Sequence, residues 1–307
     1  MVIQSLPYVA ILGFLYGSTL LVSRFSVGQF QPSTYIGLRF TLAGLGHAAI
    51  YLFAQKRHWP KDLQLWRHAV LLGILGTAVP MTSIVTSLKY QSSGVTSLLL
   101  TTGPAITVVL AHFFLSDEQL TRYKMMGVIL AFSGAGLLAI KGESGLADGG
   151  RATPLGYGLV LFAMMCSSSG TIYARKYLSQ YDAFDVASIR MFAAALTVMP
   201  LSALLIGFDL HAVNGSGFVA LGYAASVGTF SGLLMAFYII KRFGATSSSM
   251  TSYVVPIVAT VGGALFLGEK ITPSMLMGMA LILTGLTILR GRKAAPIQAI
   301  KSSDWHT

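Results

Sequence analysis

"GPAITVVLAHFFLSDEQLT" (residues 103–121) and "VPIVATVGGALFLGEKIT" (residues 255–272) lie half a chain apart and follow one pattern. Each sets a proline early in an apolar run (Pro104, Pro256). Each then closes the run with a bulky stretch, an acid (Glu118, Glu269) and a threonine (Thr121, Thr272). Proline inside a helix deletes one backbone bond and frees the carbonyl four residues back. A break written twice in apolar sequence points to a duplicated membrane helix whose irregularity serves a purpose.

Composition places the chain in a bilayer. Of 307 residues, 54% are hydrophobic and only 10% charged, with a mean hydropathy of +0.70. A soluble domain carries about 25% charged residues, so this surface cannot face water. The net charge of +11 would suggest nucleic acid in a soluble protein. Here the basic residues sit in short loops between apolar runs, where membrane topology places them. The single cysteine, Cys166, leaves no disulfide framework and no four-cysteine zinc site. The first run, "MVIQSLPYVAILGFLYG", lacks a basic leader and a small-residue cleavage site, and reads as a retained span.

A crossing helix needs about 20 apolar residues. That ruler predicts spans near 5–27, 32–54, 68–88, 93–115, 123–140, 154–174, 183–206, 215–240, 245–267 and 273–290. Continuous runs of this length exclude a β-barrel, whose strands alternate over about ten residues. With the N-terminus inside, the inner loops hold fourteen Lys and Arg. The outer loops hold four: Lys89, Lys141, Arg151 and Lys270. The excess predicts an inner (plasma) membrane protein with both termini in the cytoplasm.

The chain also matches itself at a shift of 151 or 152. Arg24 falls on Arg175, Arg39 on Arg190, Ser97 on Ser249, Pro104 on Pro256, Glu118 on Glu269 and Gly134 on Gly285. Five spans per copy is an odd number, so the second copy must lie upside down. The loop after span 2 is basic, whereas its counterpart "GFDLHAVNGSG" has no Lys or Arg. The fold predicted is an all-α polytopic membrane protein of ten transmembrane helices, arranged as two five-helix inverted-topology repeats around a central cavity. Its parts are a first repeat over 1–145, a second over 154–292 and a cytoplasmic tail over 293–307. Inverted repeats are chiefly a transporter device.

The stretch 88–139, its second copy "IKRFGATSSSMTSYVVPIVATVGGALFLGEKITPSMLMGMALILTGLTIL" and the paired arginine segments "GLRF" and "SIRM" resemble the EamA family of the drug/metabolite transporter superfamily. The resemblance implies ten helices enclosing a central cavity, and export of amino acids or other small metabolites. It does not name a substrate.

The chemistry-bearing residues fit that expectation. All ten acids lie in loops, tails or span ends, so the mid-membrane carboxylate of a cation/proton exchanger is missing. The substrate expected is therefore small and neutral or zwitterionic, exported by alternating access; uptake by the same fold is the alternative. Arg39 and Arg190 are charges within spans, which marks them for gating or substrate contact, although snorkelling would also account for them. His47 and His112 read as packing histidines, with a proton relay through His47 as the alternative. "GESG" (142–145) sits in a polar loop where its serine gains no activation, and no other enzyme motif is present. No catalytic role, metal or cofactor is expected. The partners expected are a small-molecule substrate and the lipid bilayer, with no nucleic acid and no obligate protein partner.

Matched Gly and Pro interruptions in two halves point to a transporter's site. Pro104, Pro256, Pro80 and its counterpart Gly232 are the breaks here. Counting back three and seven residues from the first two puts Thr101 and Ser97 on one helix face, Tyr253 and Ser249 on the other. These four are expected to line the cavity with Thr82, Thr86, Met235 and Tyr238, and with Tyr16, Ser18 and Ser168 from spans 1 and 6. The opposing expectation is that the hydroxyls bond their own helix carbonyls and the prolines only bend helices. The topology is testable directly. A cysteine placed within 56–66 is expected to react only from the cytoplasmic side and one within 209–214 only from outside; same-side labelling of both would overturn the inverted repeat.

Overall fold

The computed structural model describes residues 2–53, 57–115 and 118–290. Ten apolar helices are each long enough to cross a bilayer: α1 (Gln4–Ser26), α2 (Pro32–Phe53), α3 (Leu63–Ser87), α4 (Ser93–Phe114), α5 (Arg122–Lys141), α6 (Pro154–Tyr177), α7 (Ala183–Leu205), α8 (Gly215–Ile240), α9 (Ser247–Leu267) and α10 (Pro273–Arg290). The loop side chains explain the boundaries. Thr121 accepts from the Lys124 N–H at 3.3 Å and Asn214 from Gly217 at 3.0 Å, each satisfying an orphan N–H of the first turn. The largest departure from the sequence reading is α3, which starts five residues earlier than expected. Asp62 caps it, accepting from Gln64 at 2.7 Å and Leu65 at 3.3 Å. The polar turn "LQLWR" is thereby drawn into the helix. The tail 293–307 lies outside the described residues.

The two halves are related by pairing that only an inverted copy produces. Helices α5 and α10 are counterparts, and they pack antiparallel. A Cβ on Gly134 would stand 2.7 Å from the Gly278 carbonyl oxygen, and one on Gly127 would stand 2.7 Å from that of Gly285. The counterparts α2 and α7 also run antiparallel. Thr34 meets Ser202 at 2.9 Å near one end, His47 meets Ser188 at 2.9 Å, and Tyr51 donates to Asp185 at 2.6 Å near the other. The remaining contacts come in exchanged pairs, α1 with α9 as α6 with α4, and α1 with α8 as α6 with α3. Each half thus supplies what the other lacks, around a pseudo-twofold axis.

The irregular backbone follows the same symmetry. Helix α3 widens to π geometry over Ile74–Ala78, where Val79 bonds back to Ile74. Its partner α8 does so over Ala224–Ser231, ending at Gly232. Pro80 has no N–H for the Gly76 carbonyl, and the wide turn immediately before it absorbs the deficit. Helix α4 breaks at Thr101–Thr102, and Pro104 then sits in the first turn of the segment Gly103–Phe114, where its missing N–H costs little. Helix α9 breaks at Met250, and Pro256 lies inside the segment that follows.

The α5–α10 crossing is measurable. In Gly285→Val a Cβ would stand 2.6 Å from the Gly127 carbonyl and 2.7 Å from the Ala131 nitrogen. Forcing helices apart in this way costs about 1–3 kcal/mol or more, and the detergent-solubilised protein is expected to melt earlier. Gly136 faces open space, so Gly136→Ala is expected to leave the melting temperature unchanged or raise it. Equal melting of the two variants would deny the close crossing.

Candidate functional site

A cavity of about 540 Å³ opens between the halves, within the volume range of small-molecule sites. Eight helices line it; α5 and α10 do not. Two arginines enter its wall, and they are counterparts. Arg39 of α2 donates from Nε to Thr229 Oγ1 at 2.7 Å and from Nη1 to Ser23 Oγ at 3.2 Å. Arg190 of α7 donates to Thr77 Oγ1 from Nε at 3.2 Å and from Nη2 at 2.9 Å. Thr77 and Thr229 are themselves counterparts, and each lies in a π-helical turn of the opposite half. The wide turn is what offers a threonine hydroxyl to a guanidinium across the interface. Neither arginine meets a carboxylate among the described residues, and none of the lining residues is acidic.

The sequence-predicted residues divide. Ser97, Thr101, Tyr16, Pro80, Arg39 and Arg190 all line the cavity. So do Leu100 and Ser252, the residues whose carbonyls lose their donors to Pro104 and Pro256. Yet Ser97 Oγ donates to Gly94 O at 2.6 Å and Thr101 Oγ1 to Ser97 O at 2.8 Å, so these hydroxyls already hold their own helix. Ser249 and Tyr253 stand off the lining, which on α9 consists of Ser248, Thr251, Ser252 and Val255. The reason is register. The lining follows the shift of 151, carrying Ser97 to Ser248 and Thr101 to Ser252, whereas the proline match uses 152. Tyr253 instead turns to α10, its hydroxyl 3.2 Å from Thr287 and its ring 4.6 Å from the Arg290 guanidinium.

Thr82 faces a shallow groove between α3 and α7, and Thr86 bonds back to the Thr82 carbonyl at 2.7 Å. Tyr238 is exposed at the helix end against Tyr8 and Phe243. Met235 and Gly232 are outside the lining, and Gly232 gives its carbonyl to the Tyr16 hydroxyl at 3.3 Å. Ser18 bonds Tyr223 at 2.8 Å, and Ser168 accepts from Thr107 at 2.9 Å; both cement helix contacts. Pro104 and Pro256 are themselves outside the lining. His47 is buried between Phe184 and Phe230 rather than in the cavity. Sequence reasoning missed Ser23, Thr77 and Thr229; the shift of 152 that joins the last two was the available signal.

The cavity's two ends are unlike. At one end Ser87, Leu88, Gln91, Ser92 and Ser93 are fully buried. At the other end burial is uneven: Ile239, the counterpart of Ser87, is fully buried too, while Ile240, the counterpart of Leu88, is 43% exposed. A repeated ion pair marks the difference. Glu269 lies under the first turn of α4, accepting from Ser93 N at 2.8 Å and Ser93 Oγ at 2.7 Å, with Arg24 Nε at 3.9 Å. Its counterpart Glu118 instead holds Arg175 at 3.0 Å and Lys124 at 3.0 Å. Its side chain is 32% exposed, against 5% for Glu269. Burial works against the Glu118 charge, but the bonds from Arg175 and Lys124 prevail and hold its carboxyl below the ordinary carboxylate range.

The EamA-like transporter family model matches residues 5–140 and again 154–291. The chain belongs to that family. Two of its relatives cover it nearly end to end. An "Uncharacterized transporter" of Archaeoglobus fulgidus is 26% identical, over 89% of this chain and 94% of its own length. The "Uncharacterized inner membrane transporter YedA" of Escherichia coli K12 is also 26% identical, over 93% and 91%. A "Probable terminal-alkyne amino-acid exporter" of Streptantibioticus cattleyicolor is 29% identical over 65% of each chain. A solved crystal structure shares the fold with a TM-score of 0.63 at 20% identity, over 91% of this chain and 94% of that one. This EamA-like chain is therefore an integral membrane transporter.

The register of α9 gives a test that needs no substrate. In a Cys166→Ser background, Ser252→Cys should react with a small hydrophilic thiol reagent on the order of tenfold faster than Tyr253→Cys, since only a hydrated thiol ionises readily. The reverse order would return Tyr253 to the cavity.

Proposed function

We propose that this chain is a secondary transporter of the inner membrane that exports small neutral or zwitterionic metabolites, amino acids foremost, by alternating access. The observation that carries the reading is one cavity between inverted repeats whose matched end acids are held differently. Glu269 is buried against the first turn of α4 at one end, and Glu118 at the other is partly exposed with Arg175 and Lys124. We take the Glu118 end as the open one. Exchanging the two conformations between the repeats would seal the open end and open the sealed one. The wall also fits the cargo, with hydroxyls, apolar side chains and two arginines, and no acid. The relative named a probable amino-acid exporter supports amino acids in particular. The basic loops favour cytoplasmic termini, which would make the open end the cytoplasmic one and loading from inside the first step.

Proteoliposome counterflow over a labelled panel of amino acids and other small metabolites tests the function. Saturable flux of a neutral or zwitterionic solute is expected, and its direction in oriented vesicles separates export from uptake. Flux confined to organic cations would overturn the reading. The gate has its own test. Glu269→Gln removes the charge that caps α4, an interaction worth about 1–2 kcal/mol, so the sealed end should open more often. Ser97→Cys should then label severalfold faster from that side, whereas unchanged labelling would leave Glu269 out of the gate.

A further inference from the structure

The two cavity arginines are matched in position but not in occupation. Arg39 is buried at 4% exposure and donates to two different hydroxyls, which belong to a wider network. Thr229 and Ser23 take its protons, Ser23 also meets Tyr35 at 3.2 Å, and Ser23 donates to the Thr19 carbonyl at 2.8 Å. The second half repeats only part of this. The counterpart of Ser23 is Ala174 and that of Tyr35 is Val186, so neither can receive a proton from Arg190. Arg190 therefore spends Nε and Nη2 on the single oxygen of Thr77, and its Nη1 has no hydrogen-bond partner among the described residues. Unlike Arg39 it is only half-buried, and it lines the cavity.

We infer that Arg190 is the anchor for a ligand carboxylate, and that the cargo of this cavity is a solute bearing one, with the α-amino acid zwitterion as the form that satisfies the whole wall. The inference rests on the transport reading above. A guanidinium pairs with a carboxylate through two parallel N–H···O bonds, shorter and stronger than neutral ones. In a wall with two cations and no acid, a carboxylate is the group that complements the arginine with only one hydroxyl partner. The same wall repels a simple cation. The ammonium of an amino acid needs acceptors, and the irregular backbone offers them: Leu100 ends the first segment of α4, Pro256 has no N–H for the Ser252 carbonyl, and both residues line the cavity. A carboxylate at Arg190 with an ammonium towards α4 and α9 would span the two halves, so binding would couple directly to their relative motion.

Purified full-length protein in detergent provides the test without assuming transport. Thermal stabilisation is measured with L-leucine, L-threonine and L-phenylalanine, with their amides and methyl esters, and with propionate and butyrate. The free acids are expected to raise the melting temperature, and the amides and esters to fail. Arg190→Ala should weaken the apparent affinity roughly tenfold to a hundredfold, the worth of a charge-assisted pair. Arg190→Lys, which keeps the charge and serves as the folded control, should lie between. Stabilisation by amides or esters equal to that by the acids overturns the anchor, as do unchanged affinity in Arg190→Ala and a panel in which no carboxylate binds. Counterflow separates the two readings. Saturable flux of a solute without a carboxylate would sink the anchor and leave the transporter standing, whereas acid-selective binding without flux of any solute would keep the anchor and sink the exporter.

Discussion

In hydrocarbon a backbone carbonyl without a donor is costly, so irregular backbone survives only where protein covers it or water reaches it. That constraint orders this molecule. The π-helical turns of α3 and α8 and the breaks of α4 and α9 are its principal interruptions within spans, and residues from all four line the one central cavity. Helices α5 and α10, which are unbroken, stand outside that wall and lock to one another through Gly127, Gly134, Gly278 and Gly285. Small residues permit close backbone approach where no hydrophobic force drives helices together. The irregular helices contribute to the wall together with the regular α1, α2, α6 and α7.

The pseudo-twofold axis converts each device into a pair, and the pairs differ in ways that carry the functional reading. The arginine–threonine bonds are near copies, while only Arg39 has a second hydroxyl partner, Ser23. The capping acids are copies in sequence, yet Glu269 caps α4 and Glu118 sits with Arg175 and Lys124. The first difference is covalent and permanent, set by Ala174 and Val186. The second is only partly so: Arg24 and Arg175 are matched partners for the two acids, but Lys124 falls on Met275 and Ser93 on Gly244 or Ala245. Permanent asymmetry suits recognition of one end of a ligand, and exchangeable asymmetry suits a gate.

Most of the fold was legible because membrane helices announce themselves by length and apolarity, and duplication by repetition. The ten spans, their loops and the inverted copy follow from those two facts. The early start of α3 was not visible, since Asp62 and the polar turn after it look like loop until a cap recruits them. Part of the site was legible through proline chemistry, which pointed to Ser97, Thr101 and the freed carbonyls of Leu100 and Ser252. The prediction slipped on α9, where one residue of register separates Ser252 in the wall from Tyr253 against Arg290. Self-alignment could not resolve it, because a shift of 152 fits the prolines and 151 fits the acids beyond them.

What the sequence determined by itself was therefore what depends on composition and spacing: the membrane, the number of spans and the inverted repeat. The break in α9 falls at Met250, six residues before the proline that announced it. Tertiary structure alone decided which polar groups meet. Glu269 reads as a loop acid and is buried under α4; Tyr238 reads as a cavity wall and is exposed; Thr77 and Thr229 read as unremarkable and hold the two arginines. The physical reason is that a membrane helix is apolar on nearly every face, so its pattern says that it crosses but not how it is rotated. Rotation is set by glycine-sized approaches and by hydrogen bonds to helices distant in sequence, and those exist only once the halves have come together.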